Sequence, residues 1–165
     1  MARYDIDPGA TVFDLSFRPS LPGFGFRIGE VTGEVEATFV DGQPDLDAPL
    51  VGEFTAVVDQ LLLGPGIVER TVRRVIGRHG EIVTRGRVTA CRPHHTDGYE
   101  LDLELGMPWG DYTIASRGDV AMPSDDRVEV SGRTEVHPRH VGVPIPRLIP
   151  VPVTIAAYAL VLTPQ

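Results

Sequence analysis

Lysine and asparagine are wholly absent from this chain, and cysteine and tryptophan occur once each. Without lysine there is no Schiff-base chemistry and no phosphate-loop ammonium; without asparagine there is no acceptor for N-glycosylation. All 15 basic residues are arginines, a pattern expected from codon bias in a GC-rich genome. The single Cys91 excludes an intrachain disulfide and a multi-cysteine metal site, and it is compatible with a reducing compartment. No apolar run approaches the length of a membrane-spanning helix, and the opening MARYDIDPGATVFDL has no apolar stretch before a small-residue cleavage site. The expectation is a soluble, cytoplasmic protein. Net charge is −8, with eleven acids against three arginines in residues 1–60 and twelve of each in 61–165. Such a surface is a poor partner for nucleic acid.

What is present is alternation. In VTGEVEATF, Val31, Gly33, Val35, Ala37 and Phe39 alternate with Thr32, Glu34, Glu36 and Thr38. A period of two with one oily and one charged side marks an antiparallel strand with one wet face. The same pattern recurs in Tyr99, Leu101, Leu103 and Leu105 against Glu100, Asp102 and Glu104. At 165 residues the chain is expected to form one domain, 1–165, large enough to bury a core without staples.

Strands are expected over about Tyr4–Phe17 with a break at Pro8-Gly9, over Phe24–Phe39, and over Val51–Leu62. Five more follow: Glu81–Cys91, Tyr99–Leu105, Tyr112–Met122, Arg127–Val136 and Val151–Leu162. The apolar parity slips by one near Gly29-Glu30, which predicts a bulge that lets a long strand curl. Asp41-Gly42 is a hairpin turn. About eight antiparallel strands predict a β-barrel, the size at which an interior can hold one small ligand. HPRHVGVPIPRLIPVPV carries Pro144, Pro146, Pro150 and Pro152, which exclude a central ladder position and place it at an edge or across a barrel end.

One helix is expected, over 65–79, between Gly64-Pro65-Gly66 and Gly77 or Gly80. Ile67, Val68, Thr71, Val72, Val75 and Ile76 form its stripe, opposite Arg70, Arg73, Arg74 and Arg78. A solvated face flanking the barrel is the ordinary reading; transient contact with a membrane surface is the other.

YDIDPGATVFDLSFRPS followed by GEVTGEVEATFVDG resembles the opening of the YceI-like proteins, with Ile6, Asp7, Val12, Phe13, Val31, Gly33, Val35 and Phe39 in comparable places. Arg18 stands near where that family commonly has a histidine, and Val35 replaces an aromatic. The resemblance implies a lipocalin-like barrel that holds a polyisoprenoid or isoprenoid quinone in an apolar channel, with no cofactor. A prenyl chain needs a dry cavity of aromatic and aliphatic side chains. The lining candidates are Phe13, Leu15, Phe17, Phe24, Phe26, Val35, Phe39, Leu101 and Leu103, each equally suited to an ordinary core.

Arg18 and Arg27 each follow an inward aromatic and should point outward. His94-His95 and His137 with His140 are the only hint of metal binding or catalysis, and neither pair has a recognised zinc spacing. Ser16, Ser20, Ser116, Ser124 and Ser131 lack a nucleophile-elbow context, and Cys91 falls mid-strand, where burial makes a thiol inert. The chain is therefore expected not to be an enzyme. The competing readings are a carrier of a hydrophobic molecule, a solid barrel acting through its surface, alone or as an edge-paired homodimer, and an enzyme or metal protein built on histidine and carboxylate loops.

Overall fold

The computed structural model describes residues 1–20, 23–63, 82–143, 147, 148 and 150–165, with 66, 70 and 74 singly; of Phe24 and residues 59–63 it describes the backbone alone. The chain opens on β1 (Ala2–Ile6) and β2 (Val12–Arg18), one line of strand broken by a turn. The break has a local cause: the Asp7 carboxylate accepts from the Gly9 and Ala10 backbone N–H groups at 2.9 and 3.2 Å, an Asx turn at the Pro8-Gly9 break. Then come β3 (Phe24–Ala37), the short pair β4 (Phe39–Val40) and β5 (Gln43–Pro44), and β6 (Val51–Leu63). The second half holds β7 (Ile82–Pro93), β8 (Tyr99–Met107), β9 (Gly110–Ser124), β10 (Arg127–Val136) and β11 (Val153–Pro164), with a 3₁₀ turn over Pro138–Val141.

The sheet runs β1-β3-β6-β7-β8-β9-β10-β11, and β11 returns to β1, so eight strands close into an antiparallel barrel. β11 serves both halves of the broken first strand, pairing Pro164–Leu162 with Tyr4–Ile6 and Ala159–Val153 with Val12–Arg18. The β1–β3 ladder stops at Asp5 and Glu34. Above it, no ladder pair joins β2 to β3 among the described residues; the Phe17 and Phe26 rings meet there edge to face at 5.6 Å. β3 slips register between Arg27 and Ile28 and again before Val31, where the parity slip of the sequence falls.

With the chain termini at the lower end, the tightest packing is also low. Tyr4, Ile6, Val31, Ala56, Val128 and Leu162 form a buried cluster, with Phe39 and Phe54 against it. The β4–β5 hairpin, turned by left-handed Asp41 and Gly42, lies at this end. The Tyr99 hydroxyl donates to Gln43 Oε1 at 2.6 Å, and Phe39 stands edge to face on Tyr4. Here the sequence reading needs correction. Asp41-Gly42 does not join the long strands but closes this small hairpin, and Phe39 belongs to β4, because β3 ends at Ala37.

The expected amphipathic helix over 65–79 lies outside the described residues; of it only Gly66, Arg70 and Arg74 are described, all exposed, and the described residues contain no continuous α-helix. No helix among them is long and apolar enough to cross a membrane.

Candidate functional site

Strand alternation turns one residue in two toward the barrel axis, and the interior these residues enclose is not filled. A cavity of about 330 Å³ runs through it, lined almost wholly by apolar atoms. Phe13, Leu15, Phe26, Val35, Phe39, Leu101 and Leu103 line it. Phe17 shares the inward parity of Phe13 and Leu15 but sits beside the Phe26 ring, off the cavity wall. The Phe24 side chain lies outside the described residues. A second concavity, of about 890 Å³, lies on the outer face among Glu34, Glu36, Glu53, Arg85, Arg87 and Asp111. It is a solvated, charged groove, so the apolar interior is the better candidate for a ligand site.

Two aromatic side chains shape the interior by lying over glycines. Phe54 on β6 stands in register between Gly33 on β3 and Gly86 on β7, and a Cβ at Gly86 would fall inside the Phe54 ring. Tyr158 on β11 is in register with Gly132 on β10, which is in register with Gly118 on β9. A Cβ at Gly132 would collide with the Arg117 carbonyl oxygen and the Tyr158 hydroxyl; one at Gly118 would approach the Ser131 carbonyl to 2.8 Å. Glycine in a strand marks such close approach.

Laid flat across β10, Tyr158 reaches Ser116, with the two hydroxyl oxygens 2.7 Å apart. Thr134 Oγ1 donates to Ser116 Oγ at 2.6 Å, so three strands share one buried hydroxyl chain. Burial raises the Tyr158 phenol pKa, with the Ser116 hydrogen bond opposing in part. Thr154 also borders the cavity but is 3% exposed, and its hydroxyl is buried with no partner among the described residues. On the far side Thr84 Oγ1 donates weakly to Met107 Sδ at 3.4 Å. The upper end is covered by the 3₁₀ turn, whose Pro138 and Val141 line the cavity and whose Val141 carbonyl accepts from Trp109 Nε1 at 2.6 Å.

A closed antiparallel barrel around a dry cavity can be compared with known proteins. The chain shares its fold with BcnA. The crystal structure of that Burkholderia cenocepacia protein, a YceI-like protein of lipocalin fold, superposes with a TM-score of 0.58 over 94% of this chain and 98% of that one, at 12% identity. At that identity the likeness carries the fold alone. No family model and no curated protein sequence matches the chain.

The remaining candidates are dispersed. His94 and His95 stack at 4.2 Å in the β7–β8 turn at the lower end, whereas His137 and His140, 4.9 Å apart, belong to the β10–β11 connection at the upper end. Successive turns of an antiparallel barrel alternate ends, so these pairs do not converge. No group of three or more His, Cys, Asp or Glu side chains among the described residues is arranged to hold a metal. His137 Nδ1 accepts from the Arg139 backbone N–H, and burial together with the neighbouring His140 and Arg139 holds its pKa down. Arg18 and Arg27 are exposed, as their parity requires, and Arg18 pairs with Glu135 at 3.4 Å. Arg92 binds Asp102 with both terminal nitrogens at 2.7 and 2.9 Å on the outer face, holding that carboxyl below its usual range. Cys91 is half-buried and lines the cavity beyond the bulge between Val88 and Ala90, and burial pushes its thiol pKa up.

Residue reading missed Thr134, Thr154 and Tyr158 as wall residues. Their signal was parity: Thr154 and Tyr158 alternate in step with Ala156, Leu160 and Leu162, and Thr134 with Val128 and Val130.

Proposed function

We propose that this protein is a YceI-like carrier that binds one hydrophobic molecule, a polyisoprenoid, an isoprenoid quinone or a related lipid, inside its barrel and performs no catalysis. The observation that carries the reading is the interior cavity of about 330 Å³ with its apolar wall. Its volume falls at the lower end of ligand sites, roughly 300–1,000 Å³, where apolar walls supply the binding energy and a few polar groups set orientation. Burying apolar surface contributes about 25 cal/mol per Å², so a prenyl segment enclosed on all sides gains several kcal/mol without a single charged contact.

The fold shared with BcnA supports the architecture.

The test is native mass spectrometry of protein purified from cells without detergent, followed by solvent extraction of whatever is released. A stoichiometric prenyl lipid or quinone is the expected result. A ligand-free mass, with no uptake of added prenyl lipids, would leave a barrel that works through its outer surface, and the charged groove over β3, β6 and β7 would become the place to look.

A further inference from the structure

We infer that a hydrophobic molecule enters and leaves the barrel sideways, between β2 and β3, and that the Phe17 ring is the gate of this passage. The inference rests on the carrier reading and adds to it a route and a residue, whichever lipid is carried.

Among the described residues both ends of the barrel are covered. The lower end holds the packing of Tyr4, Ile6, Val31 and Leu162 and the β4–β5 hairpin, which Tyr99 fastens through Gln43. The upper end lies under the 3₁₀ turn, which Trp109 holds through the Val141 carbonyl. A Cβ at Gly142 would fall onto the Tyr112 hydroxyl, so this turn is packed flush against β9.

The wall is weakest along one line. Every other pair of neighbours around the ring is joined by a ladder, whereas no ladder pair joins β2 to β3 among the described residues. Both edges leave their register at the same level. Carried upward from Asp5 opposite Glu34, the β1–β3 pairing would set Pro8, which has no N–H, opposite Val31, where the β3–β6 register slips. Opening a ladder in a dry wall strips backbone hydrogen bonds that nothing replaces, so a passage forms where none has to break.

Both banks of this line border the cavity, with Phe13 and Leu15 on β2 and Phe26 and Ile28 on β3. Its upper part is bridged by Phe17 and Phe26, edge to face with ring centroids 5.6 Å apart. Phe17 is half-buried and lies off the cavity wall. Gly25 beside it brings no side chain against the ring; a Cβ there would lie 3.7 Å from Phe17 Cε2. A ring so placed turns aside by side-chain rotation, which is fast compared with strand separation. Because Phe17 meets the molecule in transit and not in the bound state, it sets the barrier to passage and not the affinity.

The experiment mixes purified full-length protein, delipidated first, with two uncharged probes in a stopped-flow instrument: phenylnaphthylamine, read by its own fluorescence, and farnesol, read by Trp109, which lines the cavity. Phe17→Ala should raise the association and dissociation rates together, each about tenfold, because one aromatic pair is lost from the barrier. The Kd should stay within about twofold of the parent's, since neither end state contains the contact. Phe17→Leu, which keeps apolar bulk at the site, should fall between the two and carries the test if the alanine variant does not fold. His140→Gly loosens the 3₁₀ turn through an exposed residue off the cavity wall and should leave both rates unchanged. Parental rates in the Phe17 variants, a faster dissociation alone with a weaker Kd, or equal acceleration by His140→Gly would overturn the gate while the carrier stands. Binding of neither probe to the parent would overturn both.

Discussion

Phe54 and Tyr158 rest on the same backbone device and do different things with it. Each lies over glycine of a neighbouring strand, Phe54 across Gly86, Tyr158 across Gly132 toward Gly118. On the Phe54 side the result is a dry surface packed onto the lower core. On the Tyr158 side one added oxygen reaches Ser116 and through it Thr134, so the wall becomes a chain of hydroxyls in an otherwise apolar room. The difference teaches that glycine placement decides where a ring may lie, and the ring's substituent decides what that wall can offer a ligand.

The largest expected effect breaks the device itself. Gly132→Ala forces a methyl against the Arg117 carbonyl, which cannot swing aside as a side chain can, and should cost about 3 kcal/mol, at the upper end for overpacking. Gly86→Ala meets the Phe54 ring first, a side chain that can shift, and should cost less, about 2 kcal/mol, with part recovered in the Phe54→Leu double mutant. Urea denaturation midpoints measure both; equal costs, or no recovery in the double mutant, would mean the two walls are not built as described.

A smaller effect isolates the oxygen. Tyr158→Phe keeps the ring and removes the hydroxyl, so it should cost about 1 kcal/mol near neutral pH, the net worth of one hydrogen bond. Its pH dependence has a definite sign. Burial raises the folded Tyr158 pKa above its ordinary value of 10.0. The stability this phenol contributes is full below the unfolded pKa. It falls as pH rises through the folded one, because the unfolded chain releases the proton first. Thermal melts from pH 8 to 11 should show Tyr158→Phe losing less stability at the alkaline end than the parent. The remaining loss includes that of Cys91, whose buried thiol titrates with the same sign.

The smallest effect concerns ladder continuity. β10 is paired on both edges, with β9 and β11, whereas β2 and the first half of β3 are each paired on one edge among the described residues. Native-state hydrogen exchange should find amides of β2 exchanging about ten- to a hundredfold faster than those of β10. Uniform protection would mean that the line between β2 and β3 is closed as firmly as the rest.

Much of this was legible residue by residue. The bounds of β10 are those its alternation gives, and the break of the first strand follows from Asp7, Pro8 and Gly9. The slip at Gly29-Glu30 marked the β3 irregularity because a single inserted residue flips side-chain parity. The inward row of Phe13, Leu15, Phe26, Val35, Leu101 and Leu103 was legible from the same parity. Thr134, Thr154 and Tyr158 were not, because a polar residue in an alternating strand is read as outward unless its parity is given more weight than its chemistry. Phe39 illustrates the opposite error: the alternation continued past Ala37, but the chain left the ladder at Thr38 to form a hairpin that the lower end of the barrel holds.

Residue types and their spacing alone dictate that the chain makes antiparallel strands with one oily and one charged face, and that an intrachain disulfide, a multi-cysteine metal site and lysine-based chemistry are excluded. These are local properties, fixed by side-chain period and residue type. Closure of the sheet adds what no strand carries alone: the oily faces enclose a cavity, the histidine pairs sit at opposite ends, and Thr154 is buried without a partner among the described residues. Those depend on which strands become neighbours and on the volume left between side chains, and neither is a property of any one segment.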